Sequence, residues 1–174
     1  TLLNSMDQDI FRLSEISERF SKIGSQPKLK EIVVSELISE VTDYMKNRLP
    51  NQSGVEINFT GNSNINIQGD WVLLRWAVEN IMKNAIDAMG TKNGVISIDL
   101  RKTEPGVQLD VSDTGKGIPR VDWKNIFRPG HSSKPRGWGL GLSLTQRIIE
   151  EIHGGSIKVL QSKQGKTIFR LYFP

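Results

Sequence analysis

Residues 69–90 read GDWVLLRWAVENIMKNAIDAMG, and the fold is decided by how this stretch is read. Asp70 after Gly69 is a good N-cap, and Gly90 stops the run just past its last apolar residue, so one helix is predicted from Asp70 to Met89. At about 100° per residue, Leu74, Ala77, Val78, Ile81, Ala85 and Ala88 form a single apolar stripe. Asn80, Asn84 and Asp87 follow one edge of it, at i, i+4 and i+7. A buried amide left without a partner costs about 1–3 kcal/mol, so this edge needs polar company. A ligand bringing oxygens and a hydrated cation would supply it. Neighbouring loops capped by the two amides would also do so, and the helix alone does not choose.

On either side of this helix the chain carries further helices and pairs of short strands. Leu3, Met6, Ile10, Leu13 and Phe20 recur at steps of three and four or their sum, with Ile16 and Ile23 widening the seam, which predicts a leading helix over 2–23. Such a helix is marginal alone, so it is expected to pack on a helix outside this chain, on a second subunit, or back on its own domain. Gly24-Ser-Gln-Pro27 breaks it, and residues 25–32 read as a linker. A second amphipathic helix spans about Val34 to Arg48. Strands are expected through Val55–Phe59, Ile65–Ile67, Ile96–Leu100, Val107–Val111, Ile157–Val159 and Phe169–Phe173, with a further helix from Gly139–Leu140 to about His153. Because this order is not a strict strand–helix alternation, it predicts an α+β fold: a two-layer sandwich with a mixed, mostly antiparallel sheet covered on one face by three helices.

Bulk composition narrows the chemistry. With 174 residues, 37% hydrophobic and 24% charged, the chain can bury a proper core as one domain plus an appendage. It has no cysteine, which excludes disulfides, thiolate metal sites and cysteine nucleophiles. The net charge of +4 comes from scattered rather than striped basic residues, so nucleic acid is not expected as a partner. No apolar run approaches the ~20 residues of a bilayer span, and no secretory signal is visible. The chain begins at Thr1 rather than at a Met, and is expected to be a piece of a longer protein.

Two glycine-bearing motifs flank the remaining chemistry. Strand parity carries 107, 109 and 111 on to Asp113, aiming its carboxylate at the core, where it needs a donor. Thr114-Gly115-Lys-Gly117-Ile118-Pro follows, with two glycines that let the backbone approach a flat ligand. An inward acceptor beside bare backbone suits an exocyclic amine such as that of adenine, although an Asp capping its own turn has the same pattern. Gly137-Trp-Gly139-Leu-Gly141-Leu142 opens a helix and can present N–H groups to phosphate, but lacks the P-loop Lys-Ser/Thr and the dinucleotide spacing. About twenty residues separate the two clusters, a length that points to a functional lid in which Lys134 and Arg136 are candidate phosphate contacts.

The asparagine helix, Asp113-Thr-Gly115-Lys-Gly117, Ile126-Phe127-Arg128-Pro129 and the last glycine cluster occur in that order. Together, over about Val33 to Pro174, they resemble the ATP-binding domain of sensor histidine kinases, in the superfamily shared with gyrase and the MutL repair ATPases. Ala85-Ile-Asp-Ala-Met89 and Ser132-Ser-Lys134 are most similar to the nitrogen-regulation subtype. The resemblance implies a Bergerat-type fold over 33–174. It also implies that 1–24 is the second helix of a dimerisation hairpin, that ATP and Mg²⁺ are the cofactors, that the parent is a homodimer, and that a response regulator is its partner. The domain would be cytoplasmic, and its parent anchored to a membrane, if at all, through segments absent here.

Residue by residue, the resemblance implies that Asn84 holds the Mg²⁺ bridging the phosphates, with Asn80 beside it. Asp113 would accept from adenine, with Gly115, Gly117 and Ile118 shaping that pocket. Gly137, Gly139 and Gly141 would line the triphosphate together with Leu140 and Leu142, Trp138 would shield the nucleotide or merely pack, and Phe127 would anchor the lid. The family's phosphate-contacting Lys is replaced by Asp87, itself counted with the binding residues, so Lys83 or Lys134 would substitute. Asn80 occupies the place of the water-activating Glu of gyrase-like ATPases. An amide cannot act as a base, which favours γ-phosphoryl transfer to a histidine over hydrolysis, with Glu79, Asn80 and Lys83 as the catalytic set. His131 lies in the lid and His153 at a helix end where a cation suits the dipole; neither sits on the hairpin with the His-Glu pair that the resemblance implies for the phosphoacceptor. A gyrase- or MutL-type ATPase, an anti-sigma-type serine kinase and a non-catalytic ATP-binding regulatory module are the alternatives.

Overall fold

The computed structural model describes residues 2–50, 53–90, 93–132 and 139–174. Helix α1 is Leu2–Gly24; strand β1 (Lys30–Val33) then runs directly into α2 (Val34–Arg48). Strands β2 (Val55–Gly61) and β3 (Asn66–Gly69) lead to α3 (Trp71–Met89), and β4 (Gly94–Lys102) and β5 (Val107–Asp113) form a hairpin. Two 3-10 turns, Arg120–Asp122 and Asn125–Phe127, precede α4 (Gly141–Arg147). A π-helical turn (Ile148–Ile152) extends α4, and β6 (Ser156–Lys163) and β7 (Lys166–Phe173) follow.

The main sheet has five strands in the order β2-β4-β5-β7-β6. Its β2–β4 pair is parallel and its other pairs are antiparallel. Alternation decides its two faces. Ile96, Ile98, Leu100, Leu109, Val111, Phe169 and Leu171 point into the core, where α2, α3 and α4 with its π-turn cover them. The opposite face is polar, and there Arg170 holds the Asp110 carboxylate through two hydrogen bonds of 2.8 and 2.7 Å. This is the expected two-layer α+β sandwich.

Helix α3 sits at its centre. The Asp70 side chain accepts from the Leu73 N–H at 3.1 Å, and Gly90 ends the helix at φ +63°, a conformation glycine adopts without strain. Its buried face is wider than the sequence stripe, because Leu73, Glu79 and Met82 are also covered. The helix is packed from three sides, by α2, by α4 and by the sheet.

Two features are not legible in the periodicity. Residues 30–33, partly within the stretch read as linker, form β1 and pair antiparallel with β3, with Ile32 opposite Ile67 and both side chains buried. Lys30-Glu-Ile-Val33 shows no apolar–polar alternation, with two charged residues followed by two apolar ones, so nothing in its pattern marks it as a strand. Helix α1 is held by its C-terminal end: Ile23 is buried, whereas Leu3, Met6, Ile10, Phe11 and Leu13 are exposed. No described helix is long and apolar enough to cross a membrane.

Candidate functional site

The polar edge of α3, the loop after β5 and the start of α4 surround one cavity of about 780 Å³. Asn80, Lys83, Asn84 and Asp87 reach it from α3. Asp113, Gly117 and Ile118 line it from the end of β5 and the loop beyond, and Gly139, Leu140, Gly141 and Leu142 from the opposite side. Asn80 is buried, and its Nδ2 donates to the Gly141 carbonyl at 3.5 Å, which ties the middle of α3 to the start of α4.

Asp113 is the most perturbed acid described. Strand parity buries it to 4% exposure, and its Oδ1 accepts the Gly115 N–H at 2.8 Å. Burial pushes its carboxyl up to about 6, against the opposing pull of that hydrogen bond. Its register partner on β7 is Thr167, which is also buried and lines the cavity. The Thr167 Oγ1 lies 2.8 Å from the Ser162 Oγ, which accepts the Ile118 N–H at 2.7 Å. Thus a carboxylate and a hydroxyl network line a pocket whose remaining walls include Ile126, Leu144 and Phe169. Sequence reading missed Thr167, although the alternation of Phe169, Leu171 and Phe173 already aims it inward.

The two glycines after Asp113 make room chiefly for the chain itself. A Cβ at Gly115 would lie 2.7 Å from the Ala88 backbone, and one at Gly117, at φ +83°, would lie 2.7 Å from the Lys163 backbone. The Lys116 N–H donates to the Ala88 carbonyl at 3.0 Å, so this loop is clamped to the end of α3. Phe127 does not line the cavity; it is buried edge-on against Phe169, whose ring does. The Gly130 N–H donates to the Gly139 carbonyl at 3.0 Å, which brings together the two ends of the segment between them. Lys134, Arg136, Gly137 and Trp138 lie outside the described residues.

This arrangement can be set beside known proteins. Residues 69–174 match the model of the family described as histidine kinase-, DNA gyrase B-, and HSP90-like ATPases. The chain belongs to this ATPase family. Sporulation kinase C of Bacillus subtilis (strain 168) is 35% identical over 143 residues, which are 81% of this chain and 33% of that protein. Sensor histidine kinase ZraS of Escherichia coli (strain K12) is 36% identical over 125 residues, 71% of this chain and 26% of that protein. The chain therefore spans about a third or less of the length of these curated relatives. Among solved structures, the catalytic domain of histidine kinase ThkA superimposes with a TM-score of 0.76 at 29% identity, covering 84% of this chain and 95% of that one. ThkA in complex with the response regulator protein TrrA gives 0.78 at 25% identity, covering 98% of this chain and 50% of that one.

Within this ATPase-family domain, Glu79 does not face the cavity. Its carboxylate is buried and takes an ion pair from the Lys83 ammonium at 3.0 Å, so only the lysine of that pair lines the site. His153 corrects the dipole reading of the sequence. It is buried, and its Nε2 accepts the Asp70 N–H at 3.0 Å while Nδ1 donates to the Ile148 carbonyl at 2.7 Å. Burial lowers its pKa, so it is neutral, and the π-turn lets the Ile148 carbonyl receive it. Three further lining residues come from α1: Ile16, Arg19 and Phe20. No spacing within 69–174 signals them, because they are brought there by the docking of a separate helix.

Proposed function

We propose that this chain binds Mg-ATP in the cavity and acts as the catalytic domain of a sensor histidine kinase, passing the γ-phosphoryl group to a histidine of the parent protein. The observation that carries the proposal is the convergence of the Asn80–Asn84 edge and the buried Asp113 on one cavity. In this reading the free carboxylate oxygen of Asp113 accepts the adenine amine, while Ile118, Ile126 and Phe169 enclose the ring. Asn84 offers one amide oxygen to Mg²⁺, which suits a cation that keeps several waters and binds substrate phosphates. Mg²⁺ would neutralise charge on the phosphates. The backbone of Gly139 and Gly141 borders the same space, and Lys83 is the described cation on α3 nearest in sequence to Asn84.

The transfer itself needs positioning more than chemistry. The acceptor imidazole nitrogen attacks the γ-phosphorus, the bond to the β–γ bridging oxygen breaks, and ADP leaves as the ring sheds its other nitrogen's proton. A gyrase-type hydrolase needs a base beside the attacking water. Asn80 is an amide, and the Glu79 carboxylate is occupied by Lys83, which supports transfer instead. His153 has both ring nitrogens engaged and is no acceptor. Residues 1–24 are read as part of the dimerisation hairpin, 25–32 as linker and 33–174 as the catalytic domain. The parent would be a homodimer signalling to a response regulator, with any membrane anchor outside this chain. The nitrogen-regulation subtype rests on Ala85–Met89 and Ser132–Lys134.

γ-Labelled ATP, Mg²⁺ and the histidine-bearing hairpin of the parent test the proposal. Acid-labile, base-stable label on the hairpin is expected, lost in Asn84→Ala, and none on the chain alone. Nucleotide binding without transfer would instead make the chain a regulatory module, and phosphate release without acceptor would make it a hydrolase.

A further inference from the structure

Helix α1 contributes directly to the cavity. Ile16, Arg19 and Phe20 are spaced i, i+3 and i+4 on one face and line the same space as Asn80, Asn84 and Asp113. Ile23, one turn further on, is buried in the core and fixes this end of the helix. The Arg19 guanidinium lies 5.1 Å from the centroid of the Trp76 ring. Trp76 stands one helical turn before Asn80 on α3, and Asn80 one turn before Asn84. At the other end of this row is Ala88, whose carbonyl clamps the loop that follows Asp113.

We propose that Arg19 contacts the terminal phosphate of the nucleotide, so that the site is complete only with the first helix in place. This inference rests on the ATP reading above. A nucleotide with its base at Asp113 and its metal at Asn84 runs along α3 from Ala88 towards Trp76, and its outermost phosphate arrives where Arg19 is held. The charges agree with that direction. The Lys83 ammonium is already paired with Glu79 at 3.0 Å, whereas among the described residues no carboxylate pairs with Arg19. A guanidinium stacked on an indole is weakly hydrated and keeps its N–H edge for a phosphate, which it can bind with two parallel hydrogen bonds. Ile16 and Phe20 flank it with apolar surface along the cavity. Discrimination between a triphosphate and a diphosphate would then reside on α1, outside the residues that match the ATPase family model.

The test is competition of ATP and of ADP against a fluorescent adenine nucleotide on the whole 174-residue chain with Mg²⁺. Arg19→Ala is expected to weaken ATP roughly tenfold and leave ADP unchanged, because only ATP carries the phosphate that Arg19 meets. Arg19→Lys should recover part of the loss, and Trp76→Ala, which removes the stacking surface, should reproduce it. An equal loss for both nucleotides, or none for either, overturns the assignment. Asp113→Asn separates this from failure of the underlying reading: it should weaken ATP and ADP alike, and a variant that binds both as before overturns the ATP site itself.

Discussion

Replacing Asp113 by Asn should stabilise the empty domain while destroying its site. The carboxyl has a pKa of about 6 in the folded chain against 3.8 unfolded, so the folded state holds the proton more tightly. The contribution of Asp113 to the stability of the empty domain therefore falls as pH rises from about 4 to about 6, and is then flat. A difference of about two units is worth about 3 kcal/mol, the cost of keeping this buried carboxylate ionised at pH 8. Asn is neutral throughout, and its Oδ1 can still accept the Gly115 N–H that Asp113 accepts at 2.8 Å. The amide NH₂ then takes the place of the second carboxylate oxygen and, in the proposed complex, would face the adenine amine donor to donor. Urea unfolding of both proteins at pH 4.5 and pH 8 reads the first effect, and nucleotide titration at pH 8 the second. The variant should gain roughly 2–3 kcal/mol relative to the parent chain on going from acid to alkaline pH, and lose adenine-nucleotide affinity at least a hundredfold. A stability difference equal at the two pH values, or undiminished binding, would refute the reasoning.

Three further outcomes follow from the packing. His153 has a lowered pKa, so the unfolded state takes up the proton first as pH falls below 6.5: stability conferred by this residue is complete above 6.5 and lost below it. Asp113 slopes the other way at lower pH, so urea midpoints are best compared between Asp113→Asn with and without His153→Gln, where only the chain retaining His153 should weaken between pH 7.5 and 5. Gly117→Ala forces a side chain onto the Lys163 backbone at φ +83°, and should cost about 1–3 kcal/mol in a denaturation titration. Arg170→Met removes both short hydrogen bonds to the buried Asp110 carboxylate, leaves it only the Arg101 guanidinium at 3.8 Å as an ion-pair partner among the described residues, and should cost about 2 kcal/mol, most of it recovered by adding Asp110→Leu; a double variant no more stable than Arg170→Met would show that the loss does not come from the buried carboxylate.

Local pattern by itself determined a great deal here. The Asp70 and Gly90 caps, the stripe of α3, the alternation of β4, β5 and β7, and the inward parity of Asp113 depend on residues within a few positions of one another, and each is found as the sequence implies. The order of the boxes carried the family. What surrounds each element was decided by tertiary structure. Periodicity tells which face of α3 is buried but not that Glu79 is covered too, nor that His153 closes on Asp70 as a neutral ring. The pairing of β1 with β3, the meeting of Thr167 with Asp113, and the arrival of Arg19 at the cavity all join residues far apart in the chain. Such contacts form because the sheet and the helix stack bring distant segments together, and the free energy that selects them belongs to the packed whole rather than to any window of sequence.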